Sequence, residues 1–175
     1  MTIEERAKKI KLLILDVDGV LTDGRIIYDN FGDEIKFFNV YDGFGMTLLF
    51  RAGIKSAIIT AKKTNIVKRR AKDMHVAKVY SNYEKLKVYE KVIKRFRVKD
   101  EETCFIGDDL IDLPVLKRVG LSAAPPEAIE EVKNSCHYIT KKSGGKGAVR
   151  EVIEIILKSQ DLWYNLTSEY EARPS

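Results

Sequence analysis

Asp16, Asp18, Asp108, Asp109 and Asp112 fall in two tight groups, LLILDVDGVLTDG and CFIGDDLID, each following an apolar run that reads as a buried β-strand. Brought together at neighbouring strand ends, these carboxylates repel one another by roughly 4 kcal/mol per close pair at an effective dielectric of about 20. A cation must therefore sit among them. All-oxygen donors suit a hard divalent ion, Mg²⁺ foremost, and Mg²⁺ among acids points to phosphate chemistry. Asp16 and Asp18 stand two apart, so period-two geometry turns both side chains to one side; one can attack while the other handles a proton. Gly19 then releases the chain from extended geometry, as expected where backbone approaches a ligand closely. Thr60 ends the apolar strand AIIT, where its hydroxyl and the next N–H can hold a phosphoryl oxygen, although alone it reads as an ordinary β-branched strand residue. Lys85 opens a helix, where the dipole disfavours a cation, and alone it reads as a solvated helix lysine.

The elements that must position these groups alternate along the chain. Thr2 and Glu5 form a capping box for a short first helix ahead of a strand over 12–17. Two β-rich runs, 25–28 and 34–40, flank Asp29 to Asp33 and read as a hairpin. Helices are expected near 43–52, 64–74, 83–96, 110–119, 127–134 and 148–158, and strands over 56–60, 78–80, 103–106, 121–124 and 137–140. Such alternation specifies an α/β fold, a doubly wound parallel sheet with helices on both faces. The segment 160–175 carries Leu162, Trp163, Tyr164, Leu166 and Tyr170, too apolar for a free linker, and is expected to dock.

With 175 residues the chain reads as a single domain over 1–175. Its net charge of +5 raises a nucleic-acid partner, but the basic residues are scattered among acids, and the densest group, Lys68, Arg69, Arg70 and Lys72, lacks interleaved aromatics. No nucleic acid is expected; a positive exterior instead helps to attract a small anion. Cys104 and Cys136 have no metal-ligand spacing and read as small buried hydrophobes. No run reaches the roughly 18 apolar residues needed to span a bilayer, and the charged N-terminus lacks the core of a signal peptide. A cytoplasmic protein without membrane association is the expectation.

The order DxDGVLTDG, Thr at a strand end, Lys, then GDDLID resembles the four-motif signature of the haloacid dehalogenase superfamily of phosphotransferases over nearly the whole chain. The resemblance implies a Rossmann-like sheet of haloacid dehalogenase type. It makes Asp16 the nucleophile, Asp18 the general acid and base, and Thr60 and Lys85 the phosphate contacts. Asp16, Asp18 through its backbone carbonyl, and Asp108 would hold Mg²⁺, with Asp109 and Asp112 orienting the site. In this superfamily the first strand neighbours the one ending in GDD.

The finer pattern resembles the capless 3-deoxy-D-manno-octulosonate 8-phosphate phosphatases: LLILDVDGVLTDG, the hairpin leading to FFNVYDGFG, AIIT with a basic residue and later Arg70, GDDLIDLPVLKRVGLSAAP, and GGKGAVREV. That implies hydrolysis of a small phosphorylated acidic sugar through an aspartyl-phosphate, in lipopolysaccharide sugar biosynthesis. It implies no cap domain, the hairpin after the first strand taking its place. Asn39, Val40, Tyr41, Asp42, Gly43, Lys62 and Arg70 would line the substrate site with Asp18 and Lys85. The hairpin (25–40) and the tail (160–175) would assemble a homotetramer. Two positions depart from the family: Thr60-Ala61-Lys62 stands where Thr-Gly-Arg is usual, replacing a bidentate guanidinium by a point charge, and SNYEKL replaces a Gln-Gly approach, leaving Lys87 to compete with Lys85. A phosphatase for a sialic-acid-like 9-phosphate is the alternative within the class. A phospho-receiver module is the alternative outside it, disfavoured because receivers carry the acceptor aspartate on a later strand than the metal acids. SGGKG before the last long helix reads either as an anion site or as a glycine turn. His75 and His137 read as structural or surface residues, and Asp23 as a turn residue.

Overall fold

A computed structural model describes residues 1–171; Ala172 to Ser175, the end of the expected tail contact, lie outside the described residues. Thr2 caps α1 (Ile3–Ala7) in the expected capping box with Glu5. The chain then forms β1 (Leu12–Leu15), the hairpin β2 (Ile27–Tyr28) and β3 (Glu34–Ile35), α2 (Val40–Arg51), β4 (Lys55–Thr60), α3 (Asn65–Asp73), β5 (Lys78–Ser81) and α4 (Lys85–Phe96). After these come β6 (Thr103–Ile106), α5 (Leu113–Leu116), β7 (Leu121–Ala124), α6 (Glu130–Lys133), β8 (Tyr138–Ile139), α7 (Ala148–Ser159) and α8 (Trp163–Glu171).

The sheet runs β5-β4-β1-β6-β7-β8, and every pairing in it is parallel. β1, β6 and β7 are buried along their full length, as strands covered on both faces must be. Alternation divides their side chains between two layers. Leu13 and Leu15 join Met46, Leu49, Val152 and Ile156 under α2 and α7, whereas Leu12 and Ile14 join Val88, Tyr89, Val92 and Val132 under α4 and α6. The buried residues of α7, Ala148, Val149, Val152, Ile153, Ile156 and Leu157, recur at the three-to-four spacing of a core-facing stripe.

Strand order reverses between β1 and β6. From β1 the chain winds outward to β4 and β5, then returns to β6 and winds the other way. Among the described residues only the hairpin separates β1 from α2, so no cap domain is inserted there.

Several boundaries differ from the sequence reading. The second hairpin run does not extend through 40; Asn39, its own backbone still extended, accepts hydrogen bonds from the Tyr41 and Asp42 amides and starts α2 at Val40. The expected helix over 110–119 is a 3₁₀ turn (Leu110–Asp112) followed by one turn of α5, and 127–134 shortens to α6. The segment 160–171 does dock, and on its own chain. Trp163 lies beneath Arg150 and Lys158 at 5.2 and 4.9 Å, Tyr170 meets the Phe44 ring edge-on at 5.7 Å, and Arg51 pairs with Glu169 at 2.6 Å. Among the described residues no helix is long and apolar enough to cross a membrane.

Candidate active site

The two acidic groups meet at the carboxyl edge of the sheet, where strand order reverses, the place at which open α/β sheets hold ligands. Leu15 is in register with Ile106, and the Asp16 amide donates to the Ile106 carbonyl at 3.0 Å, so the residues following β1 and β6 are neighbours. Carboxylate oxygens of Asp16, Asp108 and Asp112 all lie within 4.8 Å of one another. Asp16, Asp18, Thr60, Lys62, Asp108 and Asp109 line one cleft of about 290 Å³.

Lys85 stands behind that cleft, only 1 % exposed. Its ammonium reaches Asp16 Oδ1 at 2.9 Å and Asp112 Oδ1 at 2.6 Å. Two carboxylates thus offset both its burial and its unfavourable place at the first turn of α4. Lys87 instead pairs with Glu84 on the exposed face of that helix, so of the two lysines it is Lys85 that reaches Asp16. The second oxygen of Asp112 accepts from the Asp108 and Asp109 amides at 3.1 and 3.3 Å, and Asp109 caps the following 3₁₀ turn through the Leu110 amide. Asp112 therefore fixes the loop and is fully engaged by protein, while the Asp108 carboxylate borders the cleft and, among the described residues, has no such hydrogen-bond partners.

Two glycines make this packing possible. Gly19 has φ +82°, and a Cβ there would stand 2.0 Å from Asp108 Oδ2. At Gly107 a Cβ would meet the Asp112 Cγ at 2.6 Å.

Electrostatics report the same crowding. Burial pushes the Asp16 carboxyl up to about 7, the Lys85 ammonium pulling it down and Asp112 pushing it further up. Asp108 is pushed up to about 8, by burial first and then by the charges of Asp16 and Asp112. One buried ammonium does not balance three crowded carboxyls. A hard divalent cation between Asp16 and Asp108 fits both the donor chemistry and the charge deficit.

Another predicted group collects elsewhere. Arg70 donates to the Asn39 carbonyl at 2.9 Å, lies over the Phe38 ring and lies against Gly43, while Val40 and Tyr41 are exposed at the start of α2. None of Asn39, Val40, Tyr41, Gly43 or Arg70 lines the Asp16 cleft within one chain. Asp42 needs a correction: it is 1 % exposed and its Oδ1 accepts from the Arg150 amide at 2.8 Å. It serves as the anion at the N-terminus of α7, so that helix end, preceded by SGGKG, is already occupied by a carboxylate. Burial raises the Asp42 pKa. His137 bonds Ser122 at 2.8 Å and His75 stacks on Phe50; both are structural.

Lys36 and Glu34 escaped the sequence reading. The Lys36 ammonium reaches Asp18 Oδ1 at 2.5 Å and Glu34 Oε1 at 2.8 Å, and Lys62 lies 3.6 Å from Glu34. The available signal was alternation: Lys36 shares its period-two face with Phe38, which packs against the core.

The model of the haloacid dehalogenase-like hydrolase family matches residues 52–153. The 3-deoxy-D-manno-octulosonate 8-phosphate phosphatase of Yersinia pestis is 42% identical over 158 residues, 90% of this chain and 84% of that protein. Its counterpart from Escherichia coli K12 is 40% identical over 156 residues, 89% and 83% of the two chains. The crystal structure of the Moraxella catarrhalis 3-deoxy-D-manno-octulosonate 8-phosphate phosphatase, in complex with a magnesium ion, a phosphate ion and KDO, superposes with a TM-score of 0.94 at 39% identity, covering 96% of this chain and 97% of that one.

The raised carboxyls carry a pH signature. Acids whose folded pKa exceeds the ordinary 3.8 bind more protons folded than unfolded, so their contribution to stability is fully present at low pH and is lost as pH rises through about 7 and 8. Thermal melts in chelator should therefore show a midpoint falling from pH 5 to pH 8, with Mg²⁺ raising it most at the alkaline end. A chelator profile that is flat or rising over that range contradicts the assignment of an unbalanced acidic centre.

Proposed function

From a chain that belongs to the haloacid dehalogenase-like hydrolases, and among them to the 3-deoxy-D-manno-octulosonate 8-phosphate phosphatases, we propose a Mg²⁺-dependent phosphatase that releases 3-deoxy-D-manno-octulosonate and phosphate from the 8-phosphate. The observation that carries the reading is the convergence of Asp16 and Asp108 at the ends of adjacent parallel strands. The reaction serves lipopolysaccharide sugar biosynthesis in the cytoplasm. A nucleophilic aspartate on the first strand, with the metal acids on a later one, is the reverse of the receiver order.

The Asp16 and Asp108 carboxylates and the Asp18 backbone carbonyl would hold Mg²⁺, whose charge, when bound, would offset the repulsion between the Asp16 carboxylate and the phosphate. A carboxylate oxygen of Asp16 attacks phosphorus in line, and the bond from phosphorus to the sugar oxygen breaks as Asp18 gives that oxygen its proton. Asp18 then takes a proton from water while the water oxygen attacks phosphorus, freeing Asp16 and inorganic phosphate. Thr60 and Lys85 position the phosphoryl oxygens and the nucleophile, and Asp109 and Asp112 hold the Asp108 loop in place. Lys62 at the cleft mouth offers a cation to the acidic sugar.

The same reading assigns the hairpin and tail to a homotetramer. Ile26, Tyr28, Phe31 and Phe37 are exposed on the hairpin, Phe31 by 93 %, which supports burial against other subunits. Exposed Val40 and Tyr41, with Asn39, Gly43 and Arg70 behind them, then contribute to a substrate site shared between subunits. Sedimentation at working concentration should give a four-chain particle, and Phe31→Asp should shift it to smaller species; a monomeric wild type contradicts the assembly.

Steady-state assays should show Mg²⁺-dependent release of phosphate with higher kcat/KM on the octulosonate 8-phosphate than on a sialic-acid-like 9-phosphate. Lys62, a point charge where the family carries a guanidinium, is the observation favouring a test of both sugars. Asp16→Asn should lower turnover by at least about 10⁴-fold and Asp18→Asn by about 10²- to 10⁴-fold, both retaining a cooperative melting transition. Near-normal rates in either variant, or preference for the 9-phosphate, contradict the corresponding part of the proposal.

A further inference from the structure

Lys36 has no part in the scheme above, yet its side chain is 1 % exposed and its ammonium lies between two carboxylates, Asp18 at 2.5 Å and Glu34 at 2.8 Å. An ammonium this deep in protein is held only where partners compensate its lost hydration. Its contact on Asp18 is with Oδ1 alone; among the described residues Oδ2 has no hydrogen-bond partner, and Asp18 borders the cleft. Clamping Oδ1 limits rotation of the Asp18 carboxyl and leaves Oδ2 as the oxygen free to exchange a proton with a reacting group. Glu34 continues the line of charge to Lys62 at 3.6 Å, so the row Asp18, Lys36, Glu34, Lys62 runs from the reacting centre along the hairpin to the cleft mouth.

Resting on the phosphatase reading, we propose that Lys36 is a positioning residue for proton transfer: it fixes Asp18 so that Oδ2 faces the departing sugar oxygen, and Glu34 holds Lys36 in place from the hairpin. The hairpin thereby supplies part of the catalytic geometry of its own chain, in addition to any surface it offers to other subunits. A purely structural tether would affect all substrates alike. In the phosphoryl-transfer step, a group that aligns the general acid matters only where the leaving oxygen needs a proton.

Leaving-group dependence tests the difference. In single-turnover measurements Lys36→Met should slow phosphoryl transfer from the sugar phosphate, whose alkoxide must be protonated, by about 30- to 100-fold. Release of p-nitrophenolate from p-nitrophenyl phosphate, which leaves without a proton, should change by less than about threefold under the same principle. KM should stay near its wild-type value, and Lys36→Arg should restore most of the sugar-phosphate rate. Should Lys36→Met lose its cooperative melting transition, Glu34→Gln, which loosens only one anchor, should give the same selective loss to a smaller degree. Equal losses on both esters, or none on either, overturn the role assigned to Lys36. A wild-type enzyme that turns over neither ester with Mg²⁺ overturns the phosphatase reading itself, a result distinct from both.

Discussion

The structure depends on one buried electrostatic arrangement: the Lys85 ammonium held between Asp16 and Asp112 beneath the carboxyl edge of the sheet. Removing these three charges from water costs several kcal/mol per ion, and mutual pairing offsets that only for two carboxylates and one ammonium. Asp108 is left over. The centre is thus built one cation short, and the raised carboxyl pKa values of Asp16 and Asp108 express that deficit in protonation. A site organised in this way is prepared for a hard divalent ion and, through it, for a phosphate dianion.

The fold makes that arrangement unavoidable. β1 and β6 are covered on both faces by apolar layers, so polar groups leave either strand only at its ends, and the clustered acids lie at the carboxyl ends. Reversal of strand order between them places those two ends side by side, and Gly19 and Gly107 let the loops close to distances that a Cβ would forbid. Asp112 then turns a flexible GDD loop into a fixed one by accepting two backbone amides and the Lys85 ammonium together. Packing, topology and charge therefore specify the same few atoms.

Local sequence carried most of this. Continuous apolar runs marked β6 and β7 at their observed limits, and the alternation of strands and helices specified the doubly wound sheet. The acidic groups were legible because Asp at a strand end has few structural uses. What local pattern hides is pairing across the chain. Lys36 belongs to no motif and goes unmarked until the fold brings it to Asp18, 18 positions away; Asp42 reads as a site residue until α7 arrives 108 positions later to take its carboxylate. Lys85 and Lys87 are indistinguishable by type, and only the rotation of α4 decides which is buried. The second hairpin run was read too long because Phe37, Phe38 and Val40 suit a strand, whereas the Asn39 cap starts a helix there.

The central claim, that the acids at the ends of β1 and β6 make Asp16 a nucleophile, is tested most directly by rapid acid quench of the enzyme during turnover of the sugar phosphate with Mg²⁺, followed by mass mapping. The account predicts a phosphoryl group on the peptide containing Asp16, absent when Mg²⁺ is chelated and absent in Asp16→Asn. Phosphate release at full rate with no such adduct, or with the adduct on another residue, would contradict it.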